Sequence, residues 1–351
     1  MRRSFVFLCE IERSVLAGFH PGASLGSSDW TRLATHRRDM SRERTAFFSR
    51  ASGLTKWVNG MTATKDVPAE ATAKVPAKAA PLPSIFIVMT EAVDGQEDEF
   101  NDWYTNIHCH DTMRFKGSVA TQRWKLSPWQ LRYNEHLVGP EQRWLCIYEM
   151  MDTQANIDAH VEDCFTDRLP ITSAQRIDKA EDFYYVPAAG TKNAVDAYNS
   201  RNGHLLLVRM NVVRGKDDEF VRWFREKYMP RVLKLIGFVD GELFRAADIQ
   251  LIDAVPRYQY SAVFHIADPM VAVESLDSHL AQAGTLVDCP LVEPGSIGIA
   301  CYSAITNRFT AEQALNLPPV QRELEDRFRA NMGDRRHFAE APDGLKIKRS
   351  S

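Results

Sequence analysis

The sequence predicts an α+β fold in which one βαββαβ unit occurs twice in tandem. The segment Asp-Glu-Phe-Asn-Asp-Trp at 98–103 returns 120 residues later as Asp-Glu-Phe-Val-Arg-Trp at 218–223. The same offset aligns Gly117 with Gly237. This period is longer than the roughly 20 to 50 residues of solenoid and propeller repeats, so it indicates a duplicated domain.

The first half of each unit reads as a strand, a glycine turn and a helix. Apolar strands are predicted over Ser84–Ala92 and His204–Val213. Gly117 and Gly237 mark the helix ends, because glycine suits the left-handed residue just past a helix. Large apolar residues recur between turn and glycine at helical spacing; they are Phe100, Trp103 and Ile107 in the first copy and Phe220 and Trp223 in the second.

The second half of each unit adds two strands, a helix and a last strand. Asp152-Thr153 and Asp268-Pro269 are typical helix beginnings. The predicted elements are strands Ser118–Leu126 and Arg143–Met151, helix Gln154–Cys164 and strand Asp182–Val186, then strands Phe238–Arg245 and Gln259–Ala267, helix Met270–Ala283 and strand Ser296–Ser303. This order is that of the split βαβ, or ferredoxin-like, unit, and two copies in one chain favour two sheets packed face to face.

The repeats occupy only part of the chain. We expect a leader and linker at 1–83, a first repeat at 84–190, a second at 204–307, and a C-terminal helix with a tail at 308–351. Residues 1–60 are Arg-rich, and their apolar run is broken by acidic residues before a secretory signal forms. A transit peptide and an upstream extension with a start at Met61 are the two alternatives. Residues 61–83 form an Ala/Pro/Lys linker that cannot bury a core.

Composition excludes several classes of function. Lys plus Arg number 43 against 46 for Asp plus Glu, so the basic excess typical of nucleic-acid binding is missing. The longest apolar runs fall far short of the ~20 residues of a membrane span. The six cysteines form no Cys-x-x-Cys pair, which favours a reducing compartment. We therefore expect a cytoplasmic protein with a small-molecule partner.

A short motif in the first helix adds a family resemblance. The first copy reads Asp102-Trp103-Tyr104-x-x-x-His108, and the second reads Trp223-Phe224-x-x-x-Tyr228-Met229-Pro230. These segments resemble the aromatic-aromatic-x-x-x-His-x-Pro motif of EthD-like proteins in the dimeric α+β barrel superfamily. Each copy keeps half of the His-x-Pro element, since His110 stands in the proline position and Tyr228 in the histidine position.

The resemblance implies a barrel of two ferredoxin-like repeats and a histidine acting as acid–base. The superfamily hosts many chemistries, so fold alone does not name one. Its members bind ligands between the helices and the concave sheet, or inside the barrel. The histidine role transfers to His108 only, because a phenol with a pKa near ~10 cannot do the same work at Tyr228. This implies one competent site per chain, with the second copy as scaffold.

Elementary chemistry gives His108 two plausible partners. An imidazole with its ordinary pKa near ~6.5 exchanges protons at physiological pH. On a regular helix Tyr104 and Asp111 lie four residues before and three after His108, on its face. Asp111 would orient the imidazole, and Tyr104 would donate a hydrogen bond to an oxyanion. The competing interpretation is that His108 caps the helix and Asp111 is solvated.

Further candidates for substrate binding come from the strands and the motif. Alternation along a strand predicts that Glu149 and His265 share the barrel's inner face. Arg123 or Trp124 would line the cavity as well, with the choice between them left open, and His110 completes the set. The competing interpretation is that the polar groups on the strands serve the contact between the two sheets. His108 and His110 point to nearly opposite sides of a helix, so no metal site is predicted.

The sequence thus predicts a cofactor-independent lyase, decarboxylase, cyclase or isomerase acting on a small, largely apolar oxygenated or aromatic compound. One alternative is a haem-binding oxidoreductase or dehydratase with His265 or His160 as iron ligand, although no haem-attachment motif is found. Another is a barrel that binds small molecules without catalysis. The C-terminal segment either packs on the barrel or bridges to another subunit, which keeps a homo-oligomer open.

Overall fold

A computed structural model describes residues 82–131, 142–164, 166–190, 203–252, 254–283 and 289–332. The predicted leader and nearly all of the linker lie outside these residues, as does the tail beyond Met332. Among the described helices, none is both long and apolar enough to cross a bilayer.

The predicted order of elements is confirmed in both repeats. Each repeat contains four strands and two helices in the order βαββαβ. The strands of the first repeat are β1 (Ser84–Ala92), β2 (Ser118–Leu126), β3 (Trp144–Met150) and β4 (Gln175–Gly190). Those of the second are β5 (His204–Met210), β6 (Phe238–Ala246), β7 (Tyr260–Ile266) and β8 (Gly298–Ala304).

The eight strands close into one antiparallel barrel. Within the repeats the orders are β2-β3-β1-β4 and β6-β7-β5-β8, and the seams β4–β6 and β8–β2 join the two sheets into a ring. A closed ring leaves no edge strand to pair with another chain. The structure confirms the predicted fold class, two tandem ferredoxin-like repeats in an α+β barrel.

Strand β4 is longer than the predicted Asp182–Val186. Its first part pairs with Glu91 and Ala92 of β1 after a register shift between Met89 and Glu91. This part is rich in charged residues and only partly buried, so it lacks the apolar alternation by which a strand is recognised.

The two faces of the barrel wall divide as predicted from alternation. Outward-facing Tyr148 of β3 packs with the helix residues of the first repeat, and Phe264 of β7 packs with those of the second. Inward-facing Ile147 and Val263 pack with residues of both repeats in a central cluster. The space left among these inner residues is only about 20 Å³, so the barrel is a filled core rather than a binding chamber.

Four helices cover the outer faces. In the first repeat they are α1, which is α-helical over Glu97–Trp103, π-helical over Tyr104–His108 and α-helical again over Cys109–Met113, and α2 (Thr153–Asp163). In the second they are α3, built in the same way from Asp217–Trp223, Phe224–Tyr228 and Met229–Val232, and α4 (Pro269–Ala283). Both π-helical turns coincide with the motif of the first helix. They end at His108 in the first repeat and at Tyr228 in the second.

Gly117 and Gly237 carry out the predicted role in the turns after α1 and α3. Their φ angles are 85° and 93°, in the left-handed region that favours glycine. A Cβ on Gly117 would lie 2.8 Å from the Cβ of Asp152, and one on Gly237 would lie 3.0 Å from the backbone nitrogen of Ala272. The glycines therefore allow the start of the second helix of each repeat to approach the end of the first.

The C-terminal segment packs on the first repeat. It forms strand β9 (Phe309–Thr310), which pairs with β2, and helices α5 (Ala311–Leu315) and α6 (Pro319–Met332). Helix α6 lies against α1 and is fixed there by a group of charged side chains that we call the α1–α6 ion cluster. Its members are His110, Asp111, Arg114, Glu325 and Arg329.

Glu325 is the centre of the α1–α6 ion cluster. Its carboxylate accepts hydrogen bonds from both terminal nitrogens of Arg114 at 2.9 and 2.8 Å, from Arg329 at 2.7 Å and from Nδ1 of His110 at 3.1 Å. Burial alone would raise the pKa of Glu325, but these hydrogen bonds outweigh it and hold the pKa well below its usual range. Charge-assisted bonds of this kind are stronger than neutral ones.

Substitution of Glu325 tests how much the cluster stabilises the fold. We expect E325A to lower the free energy of unfolding by about 1.5 to 3 kcal/mol, because Arg114 and Arg329 lose their shared acceptor. Urea denaturation at pH 7 measures this change. The matched control is E323A on the exposed side of α6, where a change within about 0.5 kcal/mol is expected. Equal effects of the two substitutions would show that the cluster adds nothing.

Candidate functional site

A cavity of about 100 Å³ lies in the first repeat, between helices α1 and α2 and the outer face of β1 and β4. The chain after α2 and the chain after β6 complete its walls. An apolar cavity of about 150 Å³ holds a benzene ring, so this smaller cavity suits a molecule of at most one ring. Its polar lining is Tyr104, His108, His160, Gln175 and Asp182; the rest is Phe86, Val88, Cys164, Leu169, Ile171, Ile177, Ala180, Leu251 and Ile252.

His108 is the last residue of the π-helical turn in α1. Its ring centroid lies 4.7 Å from that of Trp103 and 4.9 Å from that of Tyr104. Its Nδ1 is buried and has no hydrogen-bond partner. Burial, with smaller contributions from the positive forms of His160 and Arg123, lowers the pKa of His108 to about 3. The imidazole is therefore neutral at physiological pH, with a nitrogen available to a ligand.

His160 enters the same cavity from helix α2. Its Nδ1 lies 3.1 Å from the backbone oxygen of Asn156 and 3.1 Å from the hydroxyl of Tyr184. Because a carbonyl oxygen only accepts, Nδ1 carries the proton in the first bond, which leaves the lone pair on Nε2. Burial lowers the pKa of His160 to about 4, so this imidazole is neutral too.

Asp182 is a third ionisable group of the cavity, and no motif or spacing in the sequence marks it. It lies on the outer face of β4, opposite Val88 of β1. Its Oδ1 is buried without a hydrogen-bond partner. Burial, followed by the nearby charge of Glu181, raises the pKa of Asp182 to about 7. A carboxyl with such a pKa exchanges protons at neutral pH.

Tyr104 forms part of one wall of the cavity, and a tyrosine of strand β3 fixes its hydroxyl group. The hydroxyl of Tyr148 donates to that of Tyr104 at 3.1 Å, so the proton of Tyr104 is left to donate elsewhere. The guanidinium of Arg123 lies 4.3 Å from the centre of the Tyr104 ring. Burial raises the pKa of both tyrosines well above the usual value, so both remain protonated donors.

The second repeat provides an internal comparison for these residues. The 120-residue offset matches Tyr104 with Phe224 and His108 with Tyr228. Strand register extends the comparison, since Val88 pairs with Asp182 where Val208 pairs with Ile299. The polar Asp182 of the first repeat therefore corresponds to an isoleucine in the second.

The helix caps complete this comparison. Asp152 accepts a hydrogen bond from the backbone nitrogen of Ala155, and Asp268 accepts the same bond from Val271. Counting from these caps matches His160 with Leu276. The counterparts of Tyr104, His108, His160 and Asp182 pack together in one buried hydrophobic cluster; they are Phe224, Tyr228, Leu276 and Ile299. Equivalent backbones thus carry a polar cavity in one repeat and an apolar core in the other.

Regular helix geometry predicts that Asp111 lies beside His108, but the structure does not bring the two residues together. The Asp111 carboxylate contacts Arg114 and Arg329 in the α1–α6 ion cluster, and Nδ1 of His108 has no partner. Helix α1 is covered by the sheet on one side and by α6 on another. A three-residue spacing does not distinguish the side facing the cavity from the flank against α6.

His110 also lies outside the cavity. Its ring stacks on Phe309 with centroids 4.5 Å apart, and its Nδ1 bonds Glu325. His110 is a predicted substrate-binding residue because it occupies the proline position of the motif. Its contacts are those of a residue that fastens the C-terminal segment to α1.

The candidate residues on the strands lie on two sides of the barrel wall. Trp124, Glu149 and His265 face the filled interior, where both oxygens of Glu149 pair with Arg308 at 3.1 and 2.7 Å. Arg123 faces the helix, and it donates hydrogen bonds to Thr105 at 2.6 Å and to the side-chain oxygen of Asn101 at 3.0 Å. Arg123 is thus a support beneath the π-helical turn, whereas the interior residues contribute to contacts between the sheets.

Neither histidine considered for haem is arranged to hold it. His160 lines a cavity of about 100 Å³, and His265 borders a space of about 20 Å³. Pockets for drug-sized ligands occupy roughly 300 to 1,000 Å³, so a porphyrin does not fit either position in this arrangement. Within the described ranges, no group of three or more His, Cys, Asp or Glu side chains could hold a metal ion.

Comparisons with known proteins do not assign an activity to this chain. No protein-family model and no curated protein matches the chain. An anthrone oxidase-like protein is 10% identical, with 66% of this chain and 94% of that one covered and a TM-score of 0.45. A putative monooxygenase from Lactobacillus acidophilus is 13% identical, with 66% and 97% covered and a TM-score of 0.40. A chlorite dismutase variant from Candidatus Nitrospira defluvii is 8% identical, with 71% and 96% covered and a TM-score of 0.38.

The buried ionisable groups predict opposite effects of two substitutions on acid stability. His160 titrates at about 4 in the fold against 6.5 ordinarily, so the unfolded chain binds more protons in this window and stability falls as pH falls. Asp182 titrates at about 7 against 3.8, so the fold binds the extra proton and stability rises as pH falls. We expect H160L to flatten the loss of stability between pH 6.5 and 4, and D182N to steepen it.

Urea unfolding at several pH values measures these slopes. Each substitution should change the slope by at most about 1.4 kcal/mol per pH unit, which corresponds to one proton. H160L copies Leu276 of the second repeat, so it keeps a side chain that this fold accommodates. Slopes that change in the same direction would contradict the assigned titrations.

Proposed function

We propose that the protein is an enzyme that moves protons on a small, largely apolar oxygenated molecule held in the first-repeat cavity, without a cofactor. The observation that carries the proposal is the contrast between the repeats. Four matched positions are polar and border a cavity in the first repeat, whereas in the second three apolar residues and one tyrosine pack there in a hydrophobic core. Stability does not require the polar groups of Tyr104, His160 and Asp182, because burying them costs free energy that their apolar counterparts avoid.

His108 is the proposed base. It is neutral, and its Nδ1 is buried without a partner, so it accepts a proton when a ligand presents an acidic C–H or O–H group. Tyr104 is the proposed oxyanion donor, since Tyr148 fixes its oxygen and leaves its proton free. Proton abstraction beside a carbonyl or phenol leads to elimination, decarboxylation, cyclisation or isomerisation.

The cavity walls indicate the kind of molecule bound. Of the fourteen described residues that line the cavity, nine are apolar or cysteine and none is lysine or arginine. A carboxylate or phosphate ligand would lack a counter-charge there, and desolvating it would be costly. We therefore infer an uncharged, one-ring or smaller molecule with one or two oxygen atoms.

A non-catalytic binding barrel is the second candidate. The observation that favours it is the pKa of His108, which at about 3 makes the imidazole a weak base in the empty cavity. Base strength near the working pH is what acid–base catalysis favours. Binding of the ligand without any proton exchange would identify this second function.

Proton exchange with heavy water tests the first candidate without knowledge of the natural substrate. One-ring ketones such as phenylacetone exchange their α-protons when a base acts on them, and NMR follows the exchange. We expect the wild-type protein to catalyse this exchange and H108A to lose at least about 100-fold of the rate. Circular dichroism and urea unfolding establish that the variant is folded.

The matched control is Y228F, which changes the corresponding residue of the second repeat. It should leave the exchange rate within about twofold of wild type, because that repeat serves as scaffold. An H108A variant as active as wild type would refute the role of His108. Wild-type protein that binds the ketone but never exchanges its protons would favour the binding barrel.

A further inference from the structure

We propose that Asp182 is the second proton-transfer residue of the first-repeat cavity, acting on the substrate oxygen while His108 acts on carbon or a hydroxyl. This inference rests on the proposed function and deepens it. Nothing in the motif of helix α1 points to this residue, which lies in a strand some seventy residues later in the chain.

The geometry places the two residues on different walls of one cavity. His108 projects from helix α1, and Asp182 projects from strand β4 on the sheet beneath it. Each has a buried polar atom without a hydrogen-bond partner, Nδ1 in His108 and Oδ1 in Asp182. A molecule between helix and sheet would therefore meet an unsatisfied group on either side, as paired acid and base require.

Asp182 is also the only acidic residue that lines this cavity among the described residues. Its neighbour Glu181 points to the other face of the strand, where it pairs with Arg209. The described part of the chain places no arginine or lysine in the lining, so no cation among these residues fixes Asp182 in its charged form. This leaves both the protonated and the ionised forms accessible near neutral pH.

Other titratable groups face Asp182 from the surrounding elements. His108 and Tyr104 come from α1, His160 from α2, Cys164 from the chain after α2, and Tyr184 from the same strand. The histidines are neutral above about pH 4, and burial raises the pKa of Tyr104 and Tyr184. Asp182 is thus the cavity group whose charge changes around pH 7.

The proton transfers between the substrate, His108 and Asp182 balance without a co-reactant. The imidazole of His108 takes a proton from the carbon next to a carbonyl, while the protonated Asp182 gives its proton to the carbonyl oxygen. The C–H bond breaks, an O–H bond forms, and the products are an enol, an imidazolium and a carboxylate. When the substrate carries a double bond beside the enolised carbon, the imidazolium gives its proton to the far end of the resulting dienol, and the enol O–H returns its proton to the Asp182 carboxylate. Both residues are regenerated, and the double bond has moved into conjugation with the carbonyl.

The variant D182N tests the proposal, because an amide keeps the shape of the carboxyl but cannot transfer its proton. We expect D182N to bind phenylacetone with a Kd within about threefold of wild type, and to lose at least about 100-fold of the α-proton exchange rate. The pH profile of exchange should lose the limb near pH 7 that wild type shows. The control D248N changes an exposed aspartate and should behave as wild type.

A second measurement on wild-type protein separates this proposal from the proposed function. Difference infrared spectroscopy detects the carbonyl stretch of a protonated carboxyl, which should titrate near pH 7, shift on addition of p-cresol and be missing in D182N. If wild-type protein catalyses no exchange, the proposed function fails, and the infrared signal alone decides whether Asp182 is a proton-exchanging ligand contact. Full exchange activity in D182N, or a carboxyl that neither titrates near neutral pH nor responds to p-cresol, would overturn the proposal.

Discussion

Closure of the barrel is the constraint from which the rest of the molecule follows. Two four-stranded sheets join at the seams β4–β6 and β8–β2, so every central strand position faces either a shared interior or a helix layer. The interior is packed with large side chains from both repeats. The first-repeat cavity lies outside this wall, between helices α1 and α2 and the sheet.

Because the unit is duplicated, only one of the two outer helix layers needs to carry a ligand site. The second repeat fills its layer with aromatic and aliphatic side chains, which secures the hydrophobic free energy of burial. The first repeat gives up part of that gain at His108, His160 and Asp182. A chain of this kind can carry costly polar groups because its other half is a conventional core.

The fold was predictable because it depends on local patterns. Strand alternation, glycines at left-handed turns and aspartates at helix beginnings each act over a few residues, and the repeat presents each pattern twice. His108 stood out through its motif, and its neighbour Tyr104 through helical spacing.

The remainder of the site depends on contacts between distant segments. Asp182 comes from a strand whose charged beginning hides its pattern, and only the register with β1 shows which face it occupies. Asp111 pairs with Arg329, more than two hundred residues later in the chain, as well as with nearby Arg114. Comparing the repeats residue by residue along the last strand would have revealed the substitution of aspartate for isoleucine.

The π-helical turn occurs in both repeats, although only one carries the polar cavity. Such turns are often treated as marks of function, but here the wide turn belongs to the first helix of the unit regardless of what the unit does. The turn is a backbone feature common to both repeats, and at this place only the side chains distinguish the first repeat from the second. The second repeat is therefore a template already built to the right shape, in which a site could arise through a handful of exchanges and no rearrangement of the main chain.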